Sequence, residues 1–161
     1  MRLDIYTDGS HLDKQHPENS KLGCGGLIVD HSTGKVLNEF SIQLLPQYLK
    51  MTFDIDKCSN PSAELIGVLQ ALYHFKKELK NANEVVFYED YLGCKSWMDG
   101  TWKIKEPYIQ RIKDDIVGEI AEQGLTGKVK FSWVKGHQNS NDIQATMNNR
   151  ADKLAKGEKD E

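Results

Sequence analysis

Cysteine is scarce, and its spacing gives no staple. Cys24, Cys58 and Cys94 are an odd number with no Cys-x-x-Cys pair. Neither a disulfide framework nor a structural zinc site is expected, and a reducing, cytoplasmic compartment is the default. Long apolar runs are absent as well. No stretch approaches the roughly 20 residues that a bilayer span needs. Met1-Arg2-Leu3-Asp4-Ile5-Tyr6 reads as a strand, not as a charged-then-apolar leader. Positive charge is not in excess either: 21 Lys and Arg face 24 Asp and Glu, a net of −3. That excludes a generally basic nucleic-acid coat, so a polyanion must be held by a local patch or through bound cations. Internal repeats, low-complexity tracts and linkers are missing. What remains is 161 residues, the size of one domain, with 39% hydrophobic and 28% charged residues, enough to bury a core.

The pattern of elements begins with an antiparallel meander. Leu3–Thr7 is apolar and β-branched and predicts a strand stopped by Asp8-Gly9-Ser10. Gly23–Val29 predicts a second strand, His31–Gly34 a turn, and Lys35–Leu44 a third strand. Leu45–Ser59 carries aromatics without a clear period. A helix is predicted from Asn60, as N-cap, with Pro61 at the first helical position, to about Lys80. Glu84–Glu89 predicts a short buried strand and Tyr91–Met98 a short helix. A longer helix over Pro107–Gln123 follows from Ile109, Ile112, Ile116 and Ile120. Val129–Val134 predicts the last strand, and a polar loop leads to a final helix over Met147–Lys156. The order βββαβααβα implies a mixed α/β sheet covered by helices.

Four carboxylates stand out by position: Asp8 ends the first strand, Glu64 opens the first long helix, Asp90 ends the fourth strand, and Asp152 lies in the last helix. Glu64 heads the stripe 64, 68, 71, 75, otherwise Val68, Ala71 and Phe75. A carboxylate on an apolar stripe is costly unless paired or metal-bound. Each acid also has an ordinary reading. Glu64 suits a helix N-terminus, Asp-Gly-Ser is a common turn, Asp90 can begin a turn before Gly93, and Asp152 can pair with a lysine of its own helix. Spacing does not choose between these readings; convergence in space would.

Together the residues resemble the ribonuclease H type 1 family over nearly the whole chain. Ile5-Tyr6-Thr7-Asp8-Gly9-Ser10 is similar to the family's opening strand and first acid. Gly23–Val29 is similar to its glycine-rich second strand, Ser59-Asn60-Pro61-Ser62-Ala63-Glu64-Leu65 to the segment carrying the second acid, and Phe87-Tyr88-Glu89-Asp90-Tyr91 to that carrying the third. Trp133-Val134-Lys135-Gly136-His137 followed by Asn148-Asn149-Arg150-Ala151-Asp152-Lys153-Leu154-Ala155 resembles the closing signature and is the most specific match.

The resemblance implies a five-stranded mixed sheet flanked by helices, a standalone monomeric enzyme, and endonucleolytic cleavage of the RNA strand in RNA–DNA hybrids. The products would carry 5′-phosphate and 3′-hydroxyl ends. It implies Asp8, Glu64, Asp90 and Asp152 as ligands of two Mg²⁺ ions, for which Mn²⁺ can substitute, and His137 as a mobile histidine assisting proton transfer or product release. Such acids make chemical sense, because bare carboxylates repel a phosphodiester whereas paired cations reverse the local sign. Discrimination of RNA from DNA needs contacts to 2′-hydroxyls across a shallow minor groove. The resemblance assigns these to Gly9 and Ser10, largely through backbone, and to Asn60 and Glu64. Lys95, Lys103, Lys105, Arg111 and Lys113, interleaved with Trp97 and Trp102, suggest a DNA-strand surface, with Trp102 the more exposed tryptophan. The alternative is that the tryptophans pack inward and the lysines are merely solvated.

The chain also departs from the family. Tyr91 replaces the commoner serine after the third acid, Pro61 stands where a second asparagine is common, and the 97–107 stretch is too short for the long basic protrusion of some members. The loop from His137 to Asp152 is longer than usual, and Leu45–Ser59 has no clear counterpart. Three rivals are disfavoured. A non-catalytic module would lack an acid, a DNA-directed nuclease would lack the closing signature, and a phosphotransfer domain would alternate strand and helix from the start.

Overall fold

The structure, a computed structural model, describes residues 1–12, 15, 21–56, 59–134 and 142–158. Its described elements are β1 (Arg2–Leu12), β2 (Lys21–Asp30), β3 (Val36–Leu44), α1 (Pro46–Phe53), α2 (Asn60–His74), α3 (Lys76–Leu79), β4 (Glu84–Glu89), α4 (Leu92–Met98), α5 (Pro107–Glu122), β5 (Val129–Trp133) and α6 (Ile143–Ala155). The strands form one five-stranded sheet in the order β3-β2-β1-β4-β5. β1 pairs antiparallel with β2, and β2 with β3, whereas β4 runs parallel to β1 and β5 parallel to β4. This is the mixed sheet implied by the sequence.

Side-chain alternation divides the core between the two faces of the sheet. Leu3, Ile5, Val85 and Phe87 belong to the larger cluster, with Leu65, Leu69 and Leu72 of α2 and Ile109, Ile112 and Ile116 of α5. Tyr6, Val86 and Tyr88 belong to a smaller cluster with Ala151 of α6, and Tyr6 stacks on Tyr88 at 4.9 Å.

Several boundaries differ from those expected. β1 does not stop at Asp8 but runs on to Leu12, because its backbone stays paired with β2 through Leu12↔Lys21. The ladder overrides the turn signal of Asp-Gly-Ser. The first long helix begins on Ser59 rather than Asn60, since the Ser62 N–H donates to Ser59 Oγ at 3.3 Å. It also breaks at Phe75, which sits buried at φ −102°, ψ 14° between α2 and the short α3. The periodless segment contains α1, which buries Leu49 and Phe53 and leaves Met51 outward. The last helix starts at Ile143, four residues early, because Asp142 caps it by accepting from the Ala145 N–H at 2.8 Å. Part of the apparent loop before Asp152 is therefore helix.

Candidate active site

Three elements deliver the acids to one end of the sheet. Asp8 lies on β1 opposite Gly25 of β2, Glu64 lies in the first turns of α2, and Asp90 follows β4 directly. One oxygen from each of Asp8, Glu64 and Asp90 lies within 4.8 Å of the others. The meeting depends on Gly9. A β-carbon there would fall 2.3 Å from the Ala63 carbonyl carbon and 2.6 Å from the Glu64 nitrogen, so only glycine lets α2 lie this close to β1. The Gly9 N–H then donates to Asp8 Oδ1 at 3.0 Å and to Glu64 Oε1 at 3.2 Å, tying the two carboxylates to one backbone amide. Asp90 is anchored by its carbonyl, which accepts from the exposed Trp133 indole at 3.0 Å.

Asp152 stands beside the three rather than among them. Its carboxyl bonds to that of Asp8 and accepts from Lys156 Nζ at 3.1 Å. The pairing with a lysine of its own helix and the proximity to Asp8 thus coexist. Gly25 makes room for α6, since a β-carbon there would fall 2.4 Å from the Ala155 nitrogen.

Burial makes the cluster electrostatically tense. Asp8 is held well above the ordinary carboxylate range, first by desolvation and then by the Glu64 and Asp90 charges. Glu64 is also raised by burial, although its bonds to Asp8 and Gly9 oppose the shift. Glu64 Oε2 is buried without a hydrogen-bond partner among the described residues. Once their shared protons are displaced, these clustered carboxylate oxygens, one of them already without a partner, form the donor set that a hard divalent cation takes. The residues present fit such an ion.

The remaining sequence-predicted residues are dispersed around this point. Gly9 and Ser10 continue β1 away from Asp8, and Asn60 Oδ1 accepts from the His11 N–H at 2.9 Å, lashing the start of α2 to β1. Trp102 is 43% exposed, with Trp97 packed edge-on between it and Tyr91. Lys103 and Lys105 are exposed, but Lys113 is turned inward onto the Trp97 carbonyl at 2.8 Å, and Lys95 pairs with Asp99. His137 lies outside the described residues. Sequence reading overlooked Glu89 and Cys94, which are fully enclosed beside Glu64. Burial pushes Glu89 up to about 8, with the neighbouring Cys94 thiol opposing the shift, and pushes the Cys94 thiol well up too. The signal was present, since Glu89 is in phase with Val85 and Phe87 on the core face of β4.

The three-strand meander, the two parallel strands and the carboxylates at their shared end define a ribonuclease H fold. Three solved structures share it. The RNase H1 of the halophilic archaeon Halobacterium salinarum is 20% identical, with 97% of this chain and 96% of that one covered at a TM-score of 0.68. LC11-RNase H1, solved in complex with an RNA/DNA hybrid, is 23% identical over 97% and 95% at 0.71. The N-terminal RNase H domain of a Mycobacterium tuberculosis protein is 22% identical over 99% and 100% at 0.66. No curated protein sequence matches the chain. The RNase H family model matches residues 1–159, and the chain belongs to that family of hydrolases.

Proposed function

We propose that this chain, acting as one monomeric domain over residues 1–161, hydrolyses the RNA strand of RNA–DNA hybrids and leaves 5′-phosphate and 3′-hydroxyl ends. The observation that carries the reading is the convergence of Asp8, Glu64 and Asp90 from three separate elements to within 4.8 Å. That LC11-RNase H1 was solved with an RNA/DNA hybrid supports the choice of substrate.

Asp8, Glu64 and Asp90, with Asp152 closing the side toward α6, would hold two divalent ions, Mg²⁺ first and Mn²⁺ in substitution. When bound, such ions neutralise the phosphate and lower the pKa of a water. The chain's own contribution is placement. The Gly9 N–H fixes Asp8 and Glu64 relative to each other before any ligand arrives. Asp152, bonded to both Asp8 and Lys156, is the acid best placed to yield to an entering substrate. His137 would assist proton transfer or product release. The backbone of Gly9 and Ser10 would meet 2′-hydroxyls. Because Asn60 Oδ1 is committed to His11, its contact with the substrate falls to the amide Nδ2. Trp102, Lys103 and Lys105 would carry the DNA strand. Reading A-form shape rather than base edges implies low sequence specificity. The buried, unpaired Cys24 and Cys94 fit a reducing cytoplasm. Among the described residues no helix is long and apolar enough to cross a membrane.

The test is a gel assay with end-labelled RNA–DNA, RNA–RNA and DNA–DNA duplexes, each with Mg²⁺ and with EDTA. Cleavage of RNA in the hybrid alone, abolished by EDTA, is expected. Equal cleavage of DNA–DNA would assign the chain to a different substrate class.

A further inference from the structure

Behind the outer acids lies a second group. Oxygens of Glu64 and Glu89 and the Cys94 sulfur lie within 4.8 Å of one another. Their residues are 5%, 1% and 0% exposed. Among the described residues neither oxygen of Glu89 meets a hydrogen-bond partner, and neither does Glu64 Oε2. The Cys94 thiol comes near enough to Glu89 to favour its charged form, without reaching full hydrogen-bond geometry. Whichever Glu89 oxygen faces the group therefore lacks a partner, and buried acceptors gathered this closely are costly unless something positive meets them.

We propose that Glu64, Glu89 and Cys94 form an inner cation site that takes a thiophilic divalent ion of the Zn²⁺ or Cd²⁺ class and competes with Mg²⁺ for Glu64. The ligand set selects the ion. A thiolate with two carboxylates suits borderline and soft cations, whereas Mg²⁺ keeps to oxygen. Ligand atoms around tetrahedral zinc, about 2.0–2.3 Å from the metal, stand roughly 3.5 Å apart. Separations of at most 4.8 Å therefore need a contraction of no more than about 1.3 Å, which leaves the fourth position to water. On binding, the Cys94 thiol and the Glu89 carboxyl each release a proton to solvent, and metal–sulfur and metal–oxygen bonds replace S–H and O–H. Glu64 is shared with the outer group, so an ion held inward withdraws that ligand and slows Mg²⁺-supported turnover. This competition, unlike the binding itself, rests on the function proposed above.

The experiment is a Cd²⁺ titration of the full chain after EDTA stripping, followed through thiolate-to-metal charge-transfer absorption. Wild type and Cys24→Ala should develop the band at about one equivalent, Cys94→Ala should lack it, and Glu89→Gln should bind at least about tenfold more weakly. Cys94→Ser replaces the alanine variant if circular dichroism shows that variant misfolded. Zn²⁺ inhibition of hybrid cleavage should require at least about tenfold more metal in Cys94→Ala than in wild type. A band that survives in Cys94→Ala, or no band in wild type, overturns the inference. The band reports the inner site whether or not the outer acids bind Mg²⁺, so its absence would leave the hydrolase reading standing.

Discussion

Replacing Gly9 with alanine tests how the fold makes the site. The added β-carbon would sit 2.3 Å and 2.4 Å from the Ala63 carbonyl carbon and oxygen and 2.6 Å from the Glu64 nitrogen, where ordinary contact begins at 3.4 Å. Every obstructing atom is backbone, so no side chain can rotate away, and the start of α2 must retreat from β1 by about 1 Å. Overpacking of a closed core costs roughly 1–3 kcal/mol, and a purely backbone clash belongs at the top of that range. For a chain of this size about 3 kcal/mol corresponds to a Tm lowered by roughly 6–12 °C. The same retreat carries Glu64 away from Asp8, and a misplacement of about 1 Å at a reacting centre can cost roughly a hundredfold in rate. Thermal unfolding by circular dichroism and single-turnover hybrid cleavage measure both losses. Gly118→Ala is the control: nothing lies within 4 Å of its β-carbon in the α5 interior, so it should gain up to about 1 kcal/mol. A Gly9→Ala protein that melts within about 2 °C of wild type and keeps its rate would refute the argument that this contact sets the acid geometry.

Other outcomes follow from the same charges. Asp8→Asn should raise the Tm of the metal-free protein, because folding otherwise has to neutralise a carboxyl whose charged form is opposed by burial, Glu64 and Asp90, yet abolish Mg²⁺-dependent cleavage; retained turnover would take Asp8 out of the site. Glu89 titrates at 4.5 when unfolded and near about 8 when folded, so its stabilising contribution is complete below 4.5 and is lost as pH rises to about 8. Metal-free stability should therefore decline across that window, by up to roughly 1.4 kcal/mol per pH unit for one proton, and Glu89→Gln should flatten the decline; an unchanged slope in Glu89→Gln would remove Glu89 as its source. The double variant Lys103→Ala with Lys105→Ala should raise KM and reduce the log–log salt slope by about 1 to 2; unchanged binding would make both lysines bystanders.

The parts of the molecule legible in the sequence were those governed by period or punctuation. Ile109, Ile112, Ile116 and Ile120 announced the buried face of α5, and all four are buried. Boundaries failed where tertiary pairing outweighed local chemistry. Asp8-Gly9-Ser10 looks like a turn because nothing local reveals that the glycine-rich β2 will pair alongside it. Asn60 was expected to cap this helix, yet its side chain is drawn off to the His11 amide and Ser59 is the cap. Among the acids, chain position and the family resemblance singled out Asp8, Glu64, Asp90 and Asp152, but only the crossing of β1 and α2 at Gly9 reveals the proximity of the first three. Glu89 was hidden by its neighbour. Asp90 occupied the family position, so the in-phase carboxylate before it drew no attention.

The most direct measurement of the central claim is a Mn²⁺ titration of the purified protein, with free ion counted by electron paramagnetic resonance. Wild type should bind Mn²⁺ saturably, and Asp8→Asn, Glu64→Gln and Asp90→Asn should each weaken that binding by at least about tenfold while remaining folded. Undiminished binding in any of the three would contradict the claim that these carboxylates act together on one metal centre.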